Sequence, residues 1–227
     1  MRRDVLRIGH RGAAGHAPEN TLAAVAAGLA LGVDLIEIDV QRTRDGALVV
    51  MHDKRVDRTT NGSGTVGELT LGEIRALDAG GGQRVPTLQE VLNAVSGRGG
   101  MMLEIITPAL AADVVAAVRA SRFAGPLVYA SFLHAELLAV RNEEPGAATL
   151  ALLEGVPVAG ASFALDVQAT HAGLSFESAT PDFIAVLQQA GLQVFLYTLN
   201  DPRDIASALE RGADGIITDF PDRVRPR

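Results

Sequence analysis

Glu37 and Asp39 interrupt an otherwise apolar run, "DLIEIDVQ". If the run is a strand, alternation puts Leu35, Glu37 and Asp39 on one face and Ile36, Ile38 and Val40 on the other. Two carboxylates on one inward face repel each other unless something cationic lies between them. A hard divalent cation does this well, because Mg²⁺ and Ca²⁺ prefer oxygen ligands. The spacing also fits a pair of salt-bridged acids or an edge strand facing water. Glu104 sits in "GMMLEIITP", where Met102, Glu104 and Ile106 share a face. An acid in the middle of a buried strand is costly without a partner. A cation shared with Glu37 and Asp39 would supply one, as would an arginine. His52 follows in "QRTRDGALVVMHD", after the turn signal Asp45-Gly46. A hairpin centred between these two residues sets Asp39 directly opposite His52. The alternative is a surface histidine in a polar loop. Finally, "IGHRGAAGHAPENT" sets an imidazole and a guanidinium, His10 and Arg11, side by side at the end of a first apolar run.

The elements that would hold these groups alternate from end to end. Strand-like runs cover Val5–Gly9, Asp34–Val40, Met101–Ile106, Leu127–Ser131, Thr149–Leu153, Phe163–Val167, Gln193–Thr198 and Gly215–Thr218. Between most of them lie Ala- and Leu-rich stretches of helical spacing: Glu19–Leu31, Thr87–Val95, Ala109–Ala120, His134–Arg141, Thr180–Ala190 and Asp201–Arg211. Eight strands alternating with helices in 227 residues predict an α/β protein, a (β/α)8 TIM barrel. A doubly wound open sheet is the fallback, and the helix between the fifth and sixth strands would be very short. Pro18, Pro181 and Pro202 suit helix starts, with Thr180 and Asp201 as caps, and Gly32, Gly191 and Gly212 suit helix ends. The Gly-, Thr- and charge-rich stretch from Arg55 to Val85 breaks the rhythm. It is too short for a core of its own, so the whole chain, 1–227, reads as one barrel domain with a small insertion at about 55–85.

Composition excludes several function classes. The net charge of −7 argues against a nucleic-acid partner, though not against a small phosphate ester. Without cysteine there is no disulfide, thiolate metal site or cysteine nucleophile. No apolar run approaches the ~20 residues of a membrane span, and the start lacks the apolar stretch of a signal peptide. The expected location is the cytoplasm. The closing "RVRPR" reads as a solvated tail.

"GHRG…PENT", "EIDV", "VVMHD", "TTNGSGTVGELTLGEIRALDAG", "VPTLQEVL", "LEI", "YTLN" and "GADGIITDFP" fall in one order. In that order the chain resembles the glycerophosphodiester phosphodiesterases, from residue 8 to about residue 221. The resemblance implies a (β/α)8 barrel with an insertion after the second strand's hairpin. It also implies metal-dependent hydrolysis of a glycerophosphodiester to sn-glycerol 3-phosphate and an alcohol. His10 and His52 match the family's general acid and base, and Arg11 its phosphate ligand. Glu37, Asp39 and Glu104 match the ligands of one divalent ion, Mg²⁺ or Ca²⁺. Tyr197 stands at an aromatic position, often Trp, that would floor the glycerol pocket or fill the core. Imidazole can both take up and give a proton, which suits proton removal from a nucleophile and donation to a leaving alcohol. "PENT" is expected to start a helix and to fix the loop carrying His10 and Arg11. His16, His134 and His171 are read as non-catalytic. His171 is placed near the end of the sixth strand, within reach of the pocket mouth.

Two features depart from the family pattern. Ile106 stands where the family carries lysine, on the face expected for Glu104, which removes a positive charge beside the phosphate. "DAGGGQRVPTL" is shorter than in the family, so the insertion would cap the pocket less completely. They leave two alternatives beside the hydrolase. One is a phosphodiester-binding protein on the same barrel with weak or no turnover. The other is a lysophospholipase D- or sphingomyelinase D-like enzyme, which an apolar rim at the barrel mouth would favour. The expected partner in each case is a small molecule; oligomeric state is not encoded in any readable way.

Overall fold

The computed structural model describes residues 5–224, so Arg225–Arg227 of the basic tail lie outside the described residues. Nine strands follow the chain: β1 (Leu6–Gly9), β2 (Leu35–Arg42), β3 (Leu48–Val50), β4 (Gly100–Ile105), β5 (Leu127–Ser131), β6 (Ala148–Leu153), β7 (His171–Ser175), β8 (Gln193–Tyr197) and β9 (Gly215–Thr218). All but β3 pair in parallel in the order β1-β2-β4-β5-β6-β7-β8-β9. β1 pairs with both β2 and β9, which closes the ring. That closure is the (β/α)8 barrel, and it rules out the open doubly wound sheet. β3 stands outside the ring, antiparallel to β2.

The helices are α1 (Leu22–Ala30), α2 (Leu71–Arg75), α3 (Leu88–Val95), α4 (Ala111–Ser121), α5 (His134–Glu143), α6 (Ser162–Leu165), α7 (Pro181–Gln189) and α8 (Pro202–Arg211). Thr180 and Asp201 cap α7 and α8, each with proline in the first turn. Gly32, Gly191 and Gly212 follow helices at positive φ. Pro18 does not open the first helix: α1 starts at Leu22, capped by Thr21, whose hydroxyl accepts the Ala24 N–H.

Strand alternation partitions the core as an eight-stranded barrel requires. On β2, Ile36, Ile38 and Val40 pack outward against Leu88, Val91, Leu92 and Val95 of α3. Leu35 turns inward, where Ile8, Met102, Val128, Leu150, Phe195 and Ile217 fill the barrel. Glu37 and Asp39 share the inward face, nearer the C-terminal end. The segment 55–85 carries α2, and its Val56, Val66, Ile74, Ala79 and Val85 pack on Val49 and Met51 around β3. No helix among the described residues is long and apolar enough to cross a membrane.

One strand differs from expectation. Phe163–Val167 is not a strand; most of it lies in the short helix α6, and the sixth ring strand is His171–Ser175. The reason is steric. β7 turns His171, Gly173 and Ser175 inward, and a Cβ at Gly173 would come within 2.7 Å of Leu150 and Leu152 side chains. The barrel interior needs a glycine there, which weakens the strand signal. The apolar "FAL" meanwhile belongs to a one-turn helix whose Ala164 packs in the outer core.

Two glycines hold the loop after β1 against the barrel. A Cβ on Gly9 would meet the Gly12 carbonyl oxygen at 1.9 Å. Gly12 has φ +93, and a Cβ there would lie 2.5 Å from the Ala24 backbone. By contrast, nothing lies within 4 Å of a Cβ on Gly46, which has φ +87. Gly12→Ala therefore combines overpacking with left-handed strain and should lower unfolding free energy by about 2–5 kcal/mol, whereas Gly46→Ala should cost about 1–2. Urea denaturation of both variants measures the difference; equal costs would contradict the close approach at Gly12.

Candidate active site

The strand ends at the C-terminal mouth of the barrel surround a cavity of about 270 Å³. On one side it is lined by His10, Arg11, Glu37, His52 and Glu104, and on the other by Phe132, Leu152, Glu154 and Tyr197. In parallel register Asp39 pairs with Glu104 across β2 and β4, which places the third acid beside the first two. One carboxylate oxygen from each of Glu37, Asp39 and Glu104 lies within 4.8 Å of the others.

These acids are expensive as they stand. Glu37 and Asp39 are 2% and 1% exposed. Burial, then the charges of Asp39 and Glu104, holds the Glu37 carboxyl well above the usual carboxylate range. Burial and Asp39 push Glu104 up to about 8. Partial compensation comes from the loop after β1. The Arg11 N–H donates to Glu37 Oε2 at 2.7 Å, and Arg11 Nε lies 3.6 Å from Asp39 Oδ2. Asn20 Nδ2 donates to the same Asp39 oxygen at 2.7 Å. Glu37 Oε1 is nevertheless buried with no hydrogen-bond partner. An all-oxygen donor set with an orphaned buried carboxylate oxygen fits a hard divalent cation.

The two imidazoles are oriented alike. His10 Nδ1 donates to Asp219 Oδ1 at 2.6 Å, and Asn200 Nδ2 donates to Asp219 Oδ2 at 2.6 Å. His52 Nδ1 donates to Asp53 Oδ1 at 2.8 Å. A carboxylate only accepts, so in each ring Nδ1 carries the proton and Nε2 is the nitrogen left for chemistry. Burial would raise the Asp219 carboxyl, but the hydrogen bond and charge of His10 hold it below its ordinary value. Asp219, Asn200 and Asp53 were not among the residues singled out in the sequence. The available signal was a polar residue just after an apolar strand, in "TDFP", "YTLN" and "MHD".

His52 reaches this cavity by a register other than the expected one. Val40 pairs with Val50, and the Met51 N–H donates to the Asp39 carbonyl, so Met51 rather than His52 stands opposite Asp39. The hairpin loop has three residues, Arg44, Asp45 and Gly46, closed by Thr43 and Ala47, with Gly46 left-handed. The turn therefore centres on Asp45, and the register shifts by one.

The remaining candidates sort by position. The Tyr197 hydroxyl donates to the Leu153 carbonyl at 3.0 Å, and its ring packs edge-on to Phe132 at 5.8 Å, forming the far wall of the cavity. β4 ends at Ile105, so alternation no longer governs Ile106, which is half-buried and does not line the cavity. His16 pairs with Asp222, and His134 donates to the Leu152 carbonyl. His171 begins β7 instead of ending a strand, so it lies at the opposite end of the barrel, its ring tilted against Phe195 with centroids 5.0 Å apart. It cannot line the mouth. In "PENT", Asn20 holds Asp39, Glu19 accepts from Arg11 Nη1 at 2.7 Å, and Thr21 caps α1.

The model of the glycerophosphoryl diester phosphodiesterase family matches residues 10–223. The chain belongs to this family. It is 35% identical over 232 residues to a glycerophosphodiester phosphodiesterase of Caldanaerobacter subterraneus subsp. tengcongensis, covering 96% of each chain. The crystal structure of a glycerophosphodiester phosphodiesterase from Agrobacterium tumefaciens superposes with TM-score 0.85 at 32% identity, covering 97% of this chain and 98% of that one. A phosphodiesterase from Oleispira antarctica, solved with the product sn-glycerol-3-phosphate, superposes with TM-score 0.89 at 28% identity, covering 96% and 94%. Family membership makes this phosphodiesterase a phosphoric diester hydrolase by class.

The buried carboxylate cluster couples the phosphodiesterase's stability to pH. An acid whose folded pKa is raised stabilises the fold while protonated, and that stability is lost as pH rises towards the folded value. With chelator present, melting temperature should fall from about pH 5 to pH 8 as Glu104, shifted from 4.5 to about 8, loses its proton. A divalent cation at 100 times its Kd should add about 2.7 kcal/mol, or about 5–10 °C, and flatten that slope. Melting curves that ignore both chelator and cation would contradict a cation site at the three acids.

Proposed function

We propose that this phosphodiesterase hydrolyses glycerophosphodiesters to sn-glycerol 3-phosphate and an alcohol, using His10 and His52 as general acid and base beside a divalent cation held by Glu37, Asp39 and Glu104. The observation that carries the reading is the cavity itself: two imidazoles with Nδ1 tied to carboxylates line the same space as two acids of the oxygen cluster. A phosphate against Arg11 would meet planar N–H donors matched to its oxygens. One imidazole takes the proton of the attacking hydroxyl, from water or from the substrate's neighbouring hydroxyl, as the new P–O bond forms. The other, entering as the imidazolium with Nδ1 still held by its carboxylate, donates its Nε2 proton to the alcohol oxygen as the old P–O bond breaks. Where the substrate's own hydroxyl attacks, the product is a cyclic phosphate, which water then opens to glycerol 3-phosphate with the two histidine roles exchanged. When bound, Mg²⁺ or Ca²⁺ supplies Lewis acidity and offsets phosphate charge.

The far wall bears on the alcohol. Glu154, Phe132 and Tyr197 bring one carboxylate and two aromatic rings to the cavity that His10, Arg11 and His52 also line. Aromatic faces and a carboxylate attract a cation, so an alcohol such as choline or ethanolamine suits this wall. Phe132 is also exposed, but it borders a cavity that carries an acid, which favours a charged headgroup over a lysolipid chain.

His10→Ala and His52→Ala should each lower kcat by at least about 10²-fold while the melting temperature still rises with cation. Release of glycerol 3-phosphate from glycerophosphocholine, with and without chelator, measures this. Unchanged turnover in both variants would remove the two-histidine mechanism, and binding without turnover in the wild type would favour the phosphodiester-binding alternative. Glu154→Gln should lower kcat/KM about two- to fivefold for the choline ester and leave the ester of an uncharged alcohol unaffected.

A further inference from the structure

The insertion reaches the active site through one side chain. Arg58 Nε and Nη2 donate to Asp53 Oδ2 and Oδ1 at 2.7 and 2.9 Å. Its Nη1 and Nη2 donate to Glu19 Oε2 and Oε1 at 2.8 and 2.7 Å. One guanidinium thus uses two of its edges to grip two carboxylates. Each of those carboxylates holds a group already placed in the proposed chemistry. Asp53 Oδ1 accepts from His52 Nδ1, and Glu19 Oε1 accepts from Arg11 Nη1.

We propose that Arg58 is a positioning residue, whose bidentate grip on Asp53 and Glu19 sets the orientations of His52 and Arg11 together. The inference rests on the hydrolase reading above and extends it to a residue outside the barrel strands. Three pieces of chain meet at this point: the connection from β1 to α1, which carries Arg11 and Glu19, the turn after β3 and the insertion. Within the first, Glu19 is tied to Arg11, but Asp53 and Glu19 repel when both are charged, and Arg58 is what joins the turn to that connection. The planar fork of arginine suits two carboxylates at once in a way that a single ammonium does not. Arg58 also holds both carboxyls below their ordinary values and fixes which way each points. Its hydrogen bond is the largest cause of Asp53 lying below the usual range. For Glu19, burial would raise the carboxyl, and Arg58 and Arg11 reverse that. An ionised Asp53 can only accept, which holds the His52 proton on Nδ1 and leaves Nε2 to the cavity. An isolated exposed ion pair contributes little. Here the Arg58 side chain is half exposed but both partners are less so, at 28% and 21%, and the pairs form one network.

The test uses the full chain with saturating divalent cation. Arg58→Ala should lower kcat about 10- to 100-fold, as loss of an orienting partner does, and raise KM severalfold. The two arms should separate: Asp53→Asn should act mainly on kcat and Glu19→Gln mainly on KM. The double variant Arg58→Ala/Asp53→Asn should have a kcat within about twofold of the worse single variant, because both act through His52. Arg58→Lys should fall between wild type and Arg58→Ala. A readout independent of turnover is the His52 tautomer from imidazole ¹⁵N shifts, which should pass from Nδ1-protonated to mixed in Arg58→Ala. Wild-type kcat, KM and tautomer in Arg58→Ala would overturn the proposal, as would multiplicative losses in the double variant. An inactive wild type whose His52 tautomer still depends on Arg58 would overturn the hydrolase reading and uphold the clamp.

Discussion

Three carboxylates forced onto one face inside a barrel are the constraint around which this molecule is arranged. The parallel register of β2 and β4 sets Asp39 beside Glu104, and alternation sets Glu37 on the same side. Burial removes the water that would otherwise screen them, so their repulsion raises the cost of ionisation. One arginine and one asparagine from the loop after β1 offset part of it. The rest is met only by a cation or by protons. The close packing of that loop, with glycine at 9 and 12, follows from the same need. A backbone N–H reaches a buried carboxylate only if the loop lies flat against the strand ends.

The same economy of parts appears in the histidines. Each ring is held by a carboxylate through Nδ1, though the two pairs come from different parts of the fold. Asp219 follows the last strand and closes against the residue after the first, a contact that exists because the ring closes. Asp53 is the next residue after His52 and needs no closure; Gln41 of β2 donates to its carbonyl, and Arg58 of the insertion donates to its carboxylate. The cavity therefore has a half built by strand ends and a rim built by added loops. The strand ends supply the three clustered acids and His10, whereas the loops supply His52 and the groups that hydrogen-bond to it.

Much of this was legible in the residues. The eight-strand rhythm, the inward face of Glu37 and Asp39 and the third acid at Glu104 all follow from alternation, because side chains on a strand point to opposite faces. The sixth strand was not legible. His171-Ala-Gly-Leu-Ser lacks β-branched residues because its inward face must leave room for Leu150 and Leu152, and room is a property of neighbours. The hairpin register was misread by one residue because Asp45-Gly46 suits both a two-residue and a three-residue turn. The family resemblance named the histidines, but not the acids that orient them.

What the sequence by itself determined is what depends on local spacing and residue chemistry. That covers the fold class, the all-oxygen character of the acidic cluster, the absence of thiol chemistry and the family. Only the tertiary structure decided which partners meet across long stretches of chain, such as His10 with Asp219, Asp39 with Glu104, and Arg58 with both Asp53 and Glu19. The physical reason is that a hydrogen bond or an ion pair requires approach to within about 3 Å. Such approaches are set by how the whole ring closes, and no periodicity within a single segment encodes them.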